Sequence, residues 1–506
     1  MKFVKNNIVF LILISIHLFL LLQLSFFPYP ELFIYSYLTD NGLLPYKQII
    51  DQHFPGVMFL PVNLYSLGID TLQEMRIVHL FLMVLTDVIF IVVVKRIFRN
   101  INFSHSGDVL SEVEGRLQNQ VETRKDSGQA RMTKDDSGQA RMTIYIGLIL
   151  YIFWQIYFEG HVLWIESFIT PLILLAFGFL LNFFENRRIR NLYFAALSVG
   201  IALVFKQTVL PLAGLVFLYL FFKRIHFKNL LLGGIIFIIP ILLVTLYFSQ
   251  IGVLRDFFYW TVTFNLTIFN EMGKTRPDII GFAKILPVFG VSVVALLYYL
   301  IRKKDNIVNL TGIFLFGCLF FAYARFDHIH LQPALPFSIV ILTFLISSFK
   351  KPASYLLLLT YCFLLIAYCL FSLYIFIPNF RFYNKPGVSP MFNDTQTSKI
   401  VEKVKEYSNR GDTIFAFGTH PHIYYLTETS PPGYVFTFQF PWFMKVAEQT
   451  ILTGIVNSPP KVVIRDLNAK VGGYSLAEYM EDIDQYIVEN YVLVDYENNI
   501  EILVKI

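Results

Sequence analysis

Charge is scarce in this chain. Asp, Glu, Lys and Arg together make up 15% of its 506 residues, well below the share in soluble globular domains. So few ionic groups cannot cover the surface of a water-soluble protein of this length, which excludes an ordinary soluble enzyme. Cysteine is scarcer still: Cys318, Cys362 and Cys369 all sit inside apolar stretches. They provide neither a disulfide framework nor zinc-ligand spacing and read as small core residues. A basic nucleic-acid patch is also lacking. The net charge of +5 comes from short Lys/Arg clusters between apolar runs, where such residues set membrane topology. No nucleic-acid partner is expected.

What the chain does have is hydrocarbon. It is 56% hydrophobic and contains 53 Phe. Apolar runs approaching or exceeding the length that crosses a bilayer recur at 8–27, 75–94, 144–158, 163–184, 192–205, 209–222, 230–248, 279–301, 307–324, 335–349 and 355–377. They predict an α-helical polytopic membrane protein of about eleven spans. The first run follows Lys2 and Lys5, is long for a signal peptide, and is followed by no small-x-small cleavage site, so it is expected to be an uncleaved span.

Alternate connecting segments are basic: Lys95, Arg96 and Arg99; Arg187, Arg188 and Arg190; Lys223, Arg224 and Lys228; Arg302 to Lys304; Lys350 and Lys351. The segments between them carry Glu31, Asp51, His53, Glu159, His161, Glu166, Asp327 and His330 with few cations. By the positive-inside rule the N-terminus is cytoplasmic, and an odd number of spans leaves the C-terminus outside.

One cytoplasmic segment repeats itself: "DSGQARMT" occurs at 126–133 and 136–143. It cannot build a core, so 104–143 is expected to be a disordered insertion. Beyond residue 377 the composition changes. Residues 1–377 read as the membrane domain and 378–506 as an external soluble α/β domain. Its strand patterns are "DTIFAFGT", "KVVIRDL" and "YVLVDYENNIEILVKI"; its helices are "TSKIVEKVKEYS" and "SLAEYMEDIDQYIVENY", the latter with Ser475 and Glu478 at capping-box spacing.

The first external loop, 28–74, concentrates chemistry-bearing residues. Two of its stretches, "ELFIYSYLTDNGLLPYKQIID" and "PGVMFLPVNLYSLGID", have the pattern of interfacial helices lying at the membrane surface. Between them Asp51 and His53 stand on a loop that could roof a cavity between the spans.

These features resemble the GT-C glycosyltransferases, and within them the bacterial group related to protein O-mannosyltransferases and lipid A aminoarabinose transferases. The resembling residues are Glu31 just after the first span, Gly42, Pro45 and Tyr46 of "G-x-x-P-Y", and Asp51, His53, Pro55 and Gly56 of "D-x-H-x-P-G". Arg76 opens the second span. The stretches "WIESFITPLILLAF", "FKQTVLPLAGLVFLYL", "RFDHIHLQPALPF" and "TIFAFGTHPHIYYLTETSPPGY" also look like segments of that group. The likeness runs over nearly the whole chain apart from the repeat insertion. It implies an enzyme, a hexosyl or pentosyl transferase, that takes a sugar from a polyprenyl-phosphate carrier and passes it to a glycan, lipid or protein acceptor on the outer face. The group usually carries an acidic pair after the first helix; here "YPELF" has only Glu31.

Such a transfer needs a carboxylate to take the acceptor hydroxyl proton and cations to meet the growing charge of the leaving phosphate. Glu31 and Asp51 are the base candidates. Against these roles, Glu31 could be an interfacial carboxylate ending the first helix, and Asp51 an N-cap for a helix after Pro55. His53 could orient Asp51, bind the acceptor, or serve only structure. Lys206 with Gln207 at an outer span end is a candidate phosphate contact, with snorkelling as the alternative. Arg325 suits bidentate phosphate binding. Glu166 could bind sugar hydroxyls or pair with its helix dipole. His328 and His330 of "HIH", with Tyr46, complete the candidate substrate contacts. Two histidines two residues apart are not a metal site, and neither metal nor cofactor is expected. A multi-pass transporter or lipid-carrier flippase is the competing reading. Against it stands the lack of internal symmetry and the clustering of ionisable groups on one side of the membrane.

Overall fold

The structure is a computed structural model describing residues 2–24, 26–117, 134–302, 306–347, 395–471 and 473–506. Each expected apolar run is helical over most of its described residues except 355–377, which lies outside them. The helices in chain order are α1 (Lys2–Gln23), α2 (Pro30–Asp40), α3 (Leu72–Leu117), α4 (Lys134–Tyr157), α5 (Ile165–Asn186), α6 (Ile189–Phe205), α7 (Val209–Phe222) and α8 (Phe227–Gln250). Beyond them Ile279–Ile285 continues through a π turn into Val291–Arg302, followed by Asn306–Ala324 and Leu335–Ser347. Hydrocarbon has no water to satisfy peptide groups, so an apolar run that crosses it closes its own hydrogen bonds as a helix. The chain is a multi-pass membrane protein.

Small residues let these helices meet. A Cβ on Gly200 of α6 would lie 2.3 Å from the Phe237 carbonyl of α8. The two backbones therefore approach as closely as glycine permits. Arg76 near the start of α3 donates to the carbonyls of Leu21, Leu22 and Leu24 (3.4, 2.8 and 3.2 Å), satisfying acceptors at and just beyond the α1 terminus.

The expected disordered insertion differs in its described parts. Residues 104–117 and 134–143 continue α3 and α4 as helix; 118–133, with the first repeat, lie outside the described residues. Extending an existing helix needs no new nucleus, which favours continuation from each span.

The loop after α1 also differs from expectation. Its β1 (Phe27–Pro28) is followed by α2 and then β2 (Ile49–Ile50). Helix α2 is not laid on a membrane surface: Pro30 to Leu38 are all buried. The second expected interfacial helix is absent; residues 55–70 form successive turns. Pro55 and Pro61 interrupt any helix there, and Gly56 (φ 45°) and Gly68 (φ 73°) adopt left-handed backbone. The Gly56 amide donates to the Val204 carbonyl (3.0 Å), pinning the loop to the end of α6. Strand β1 pairs in parallel with β3 (Val162–Leu163), just before α5.

The C-terminal α/β unit is built on a four-stranded sheet. β4 (Ile414–Phe417) lies at one edge, parallel to Val462–Asp466; Ile500–Lys505 and Tyr491–Glu497 continue it antiparallel. The last two strands turn through Asn498 and Asn499, both with positive φ, as a two-residue hairpin loop requires. Ser475 and Glu478 form the expected capping box. The helix it starts breaks at Met480, giving Leu476–Tyr479 and Glu481–Asn490. Strand β5 (Phe436–Thr437) leaves this unit and pairs in parallel with β2. The α/β unit is thereby hydrogen-bonded to the backbone immediately before Asp51.

Candidate active site

Glu31 occupies the first turn of α2 behind Pro30, in a position where a helix favours an acid. Its side chain is buried, and its Oε2 accepts no hydrogen bond among the described residues. Burial, followed by the negative charge of Asp51, raises its carboxyl pKa to about 7; its own backbone amide, His53 and Arg325 pull the other way without prevailing. The result is a carboxylate that exchanges a proton near neutrality. It borders a cavity of about 330 Å³ between the membrane part and the α/β unit, walled opposite by Phe415, Thr419, Tyr424, Phe438 and Gln439.

Asp51 is 2% exposed and fully engaged. It accepts hydrogen bonds from Tyr35 Oη (2.7 Å), from the His53 amide (2.7 Å) and from His53 Nδ1 (2.8 Å). The N-cap alternative is removed, because no helix follows Pro55. His53 orients Asp51 and meets the Trp164 ring edge-on at 5.3 Å. The Tyr46 hydroxyl donates to the His53 carbonyl (2.8 Å), so Tyr46 shapes this loop.

Lys206, at the C-terminal end of α6, is not a free cation. Its ammonium pairs with Glu166 of α5, which is fully buried, and lies 3.2 Å from His330 Nδ1. That nitrogen is also 2.6 Å from Glu166 Oε1. This pairing takes the place of snorkelling for Lys206, and Glu166 also stands in the first turn of α5, where an acid meets the helix dipole. Gln207 donates to the Gln52 carbonyl (3.0 Å), as does Asn265 (2.9 Å), so the two amides fix the Asp51 loop from below.

Arg325 contacts Asp327 (3.0 Å) and lies over the Trp442 ring of the α/β unit, 5.3 Å from its centre. Both charged side chains are 38% exposed. His328 lies 3.7 Å from Glu159, whose other oxygen accepts from the Ile329 amide (3.2 Å). Burial works to raise the Glu159 pKa, but His328, His161 and that amide hold it below the ordinary value. Among the described residues no three His, Cys, Asp or Glu are grouped to hold a metal ion.

The sequence pattern singled out neither Tyr29 nor Glu159 as a site residue. Burial, then the charges of Glu159, Asp327, Glu31 and Glu166, push the Tyr29 phenol well above its usual pKa, so it stays neutral. Its one legible signal is adjacency to "PELF".

No protein-family model matches this chain, and no curated protein matches it significantly. Solved structures do. ArnT from Cupriavidus metallidurans bound to undecaprenyl phosphate superposes with a TM-score of 0.59 at 11% identity, over 99% of this chain and 98% of that one. Its apo state gives 0.60 at 11% identity, over 100% and 99%. The chain shares the fold of ArnT over nearly its whole length. A more distant match is the archaeal oligosaccharyltransferase AglB from Archaeoglobus fulgidus, in complex with an inhibitory peptide and a dolichol-phosphate. It gives 0.50 at 9% identity over 96% of this chain and 73% of that one. The likeness to ArnT extends over both the helical part and the C-terminal α/β unit.

Proposed function

We propose that this protein transfers a sugar from a polyprenyl-phosphate-linked donor to an acceptor on the outer face of the membrane, with the N-terminus cytoplasmic and the α/β unit (378–506) external to the membrane domain (1–377). The observation that carries this reading is Glu31: a buried carboxylate with a pKa of about 7 and an oxygen without a partner among the described residues, at the wall of a cavity in a fold shared with ArnT. ArnT, which shares that fold over its full length, has been captured with undecaprenyl phosphate.

In the proposed reaction Glu31 removes the acceptor hydroxyl proton while that oxygen bonds to the anomeric carbon. The bond from the anomeric carbon to the phosphate oxygen breaks, and polyprenyl phosphate departs with the electron pair. Arg325, half-exposed and close enough to act on Glu31 electrostatically, faces the growing phosphate charge. Asp51 is the second carboxylate, held by Tyr35 and His53, and tunes Glu31 through its charge. Lys206, Glu166 and His330 form a buried framework beneath them.

The test uses purified protein in lipid nanodiscs. Undecaprenyl phosphate binding is measured by native mass spectrometry, and product formation is followed with lipid-linked sugars extracted from the native membrane. Glu31→Gln is expected to bind the carrier normally and to lose about two or more orders of magnitude in turnover. Arg325→Met is expected to weaken carrier binding first. Normal turnover by Glu31→Gln would remove the basis of the proposal.

A further inference from the structure

A second cluster of buried polar groups lies within the bundle, where α1, α3 and α4 meet. His17 of α1 and Asp87 of α3 are fully buried and 2.8 Å apart through His17 Nδ1 and Asp87 Oδ2. The other ring nitrogen, Nε2, is 2.9 Å from Gln155 Oε1 of α4. Ionisable groups inside a span are costly to keep, and apolar residues of similar volume would often pack there at no loss. Nothing in the proposed transfer uses them directly.

We infer that His17, Asp87 and Gln155 form a positioning network that holds the 158–163 turn, and through it Glu159 and Glu31, in register for transfer; this rests on the transferase reading above. The protons can be placed by elimination. Gln155 Nε2 faces the Gly160 carbonyl (3.2 Å) and Met83 Sδ (3.0 Å). Flipping the amide would set its oxygen against that carbonyl, so Nε2 is the donor there and Oε1 the acceptor toward His17. His17 Nε2 therefore carries a proton. A second proton lies between Nδ1 and Asp87, and wherever it sits the pair is neutral overall, which suits hydrocarbon surroundings.

The network ends on the turn. A Cβ on Gly160 would overlap Gln155 at 2.1 Å, so the amide is pressed against the backbone. His79 Nε2 also meets the Gly160 carbonyl (2.9 Å), and Gln332 donates to the Phe158 carbonyl (2.5 Å) and to the Gln155 carbonyl (2.9 Å). From the turn the linkage continues outward. The amides of Phe27 and Tyr29 donate to the carbonyls of His161 (3.4 Å) and Leu163 (3.0 Å), and Tyr29 stands two residues before Glu31 in the first turn of α2. A shift in the turn is thus passed to the candidate base through strand pairing.

Three measurements on the full chain in nanodiscs test this. In protein labelled with 15N-histidine, the His17 signal, assigned by its loss in His17→Gln, is expected to show a protonated Nε2 from about pH 6 to about pH 9; an unprotonated Nε2 overturns the network. In Asp87→Asn and Gln155→Met, both near-isosteric, amide exchange in 158–163 and 27–31 is expected to be about fivefold to tenfold faster; unchanged exchange overturns it. With extracted lipid-linked sugars, both variants are expected to lose about tenfold or more in kcat at an unchanged donor KM. If Glu31→Gln is inactive while these variants turn over normally, the positioning role is overturned. If Glu31→Gln is itself active, the transferase reading fails, while the first two measurements still decide the network. Should Asp87→Asn not fold, the paired variant His17→Leu/Asp87→Leu, which leaves no lone buried charge, carries the same expectation for exchange and kcat.

Discussion

Removing the Glu31 carboxylate should cost activity and add stability, and both effects follow from one environment. The carboxyl rises from 4.5 to about 7, chiefly because the ionised form loses water and then because Asp51 is near. That corresponds to roughly 3 kcal/mol against the ionised form in the folded protein. The unfolded chain releases this proton near 4.5 and the folded chain near 7. Between those values the folded state holds a proton that the unfolded state has lost, so its stability falls as pH rises through the window and then levels. Glu31→Gln removes the penalty. At pH near 8 the variant should melt a few degrees above the parent, with about 3 kcal/mol as the ceiling because the amide is buried as well; near pH 4.5 the difference should vanish. The same titration shapes activity. A base of pKa about 7 is about 90% ionised at pH 8 and about 10% at pH 6, so kcat/KM should fall about tenfold over that interval. Asp51→Asn, which removes a like charge, should move the acid limb to lower pH. Thermal shift in detergent and the pH profile of product formation measure these quantities. An acid limb near 4.5, or a Glu31→Gln variant less stable than the parent at pH 8, would refute the reasoning.

The remaining expectations concern the framework and the topology. Lys206→Met leaves Glu166 buried beside His330 alone and should cost about 3–5 kcal/mol, read as a lower melting temperature; Lys206→Met/Glu166→Gln should recover most of it. A cysteine at Ser475 should react with an impermeant thiol reagent in intact cells, and labelling only after lysis would reverse the proposed orientation. Deleting 118–133, which holds one "DSGQARMT" copy and has few core-forming residues, should leave expression and turnover near normal; lost turnover at normal expression would assign that segment a regulatory role.

How much could be read ahead of the structure varies by element. The apolar runs were legible because lipid forces both their composition and their helicity. The Ser475–Glu478 capping box was legible because it depends on residues three apart in the chain. Residues 55–70 misled, since their spacing of apolar groups suits an amphipathic helix. The prolines and the Gly56 contact to Val204 decide instead for turns, and that contact lies across the fold. Glu31 and Asp51 were both visible as carboxylates after the first span. Their division of labour was not, because it depends on which of them Tyr35 and His53 reach.

The sequence by itself determined that this chain crosses the membrane many times, carries an α/β unit at its C-terminal end, and gathers acids and histidines on the segments between its basic clusters. Each of these follows from composition or from neighbours a few residues apart. Only the tertiary structure decided what those groups are. Lys206 meets Glu166 from 40 residues away and His330 from 124, which pairs the cation expected as a phosphate contact with a buried acid. Strand β5 reaches back to β2 and brings the α/β unit over the cavity beside Glu31. The acidity of a carboxyl belongs to its surroundings, through lost water and nearby charge. That is why the same glutamate, an ordinary acid on paper, becomes in the folded chain a buried carboxyl whose pKa rises to about 7, as the proposed base role requires.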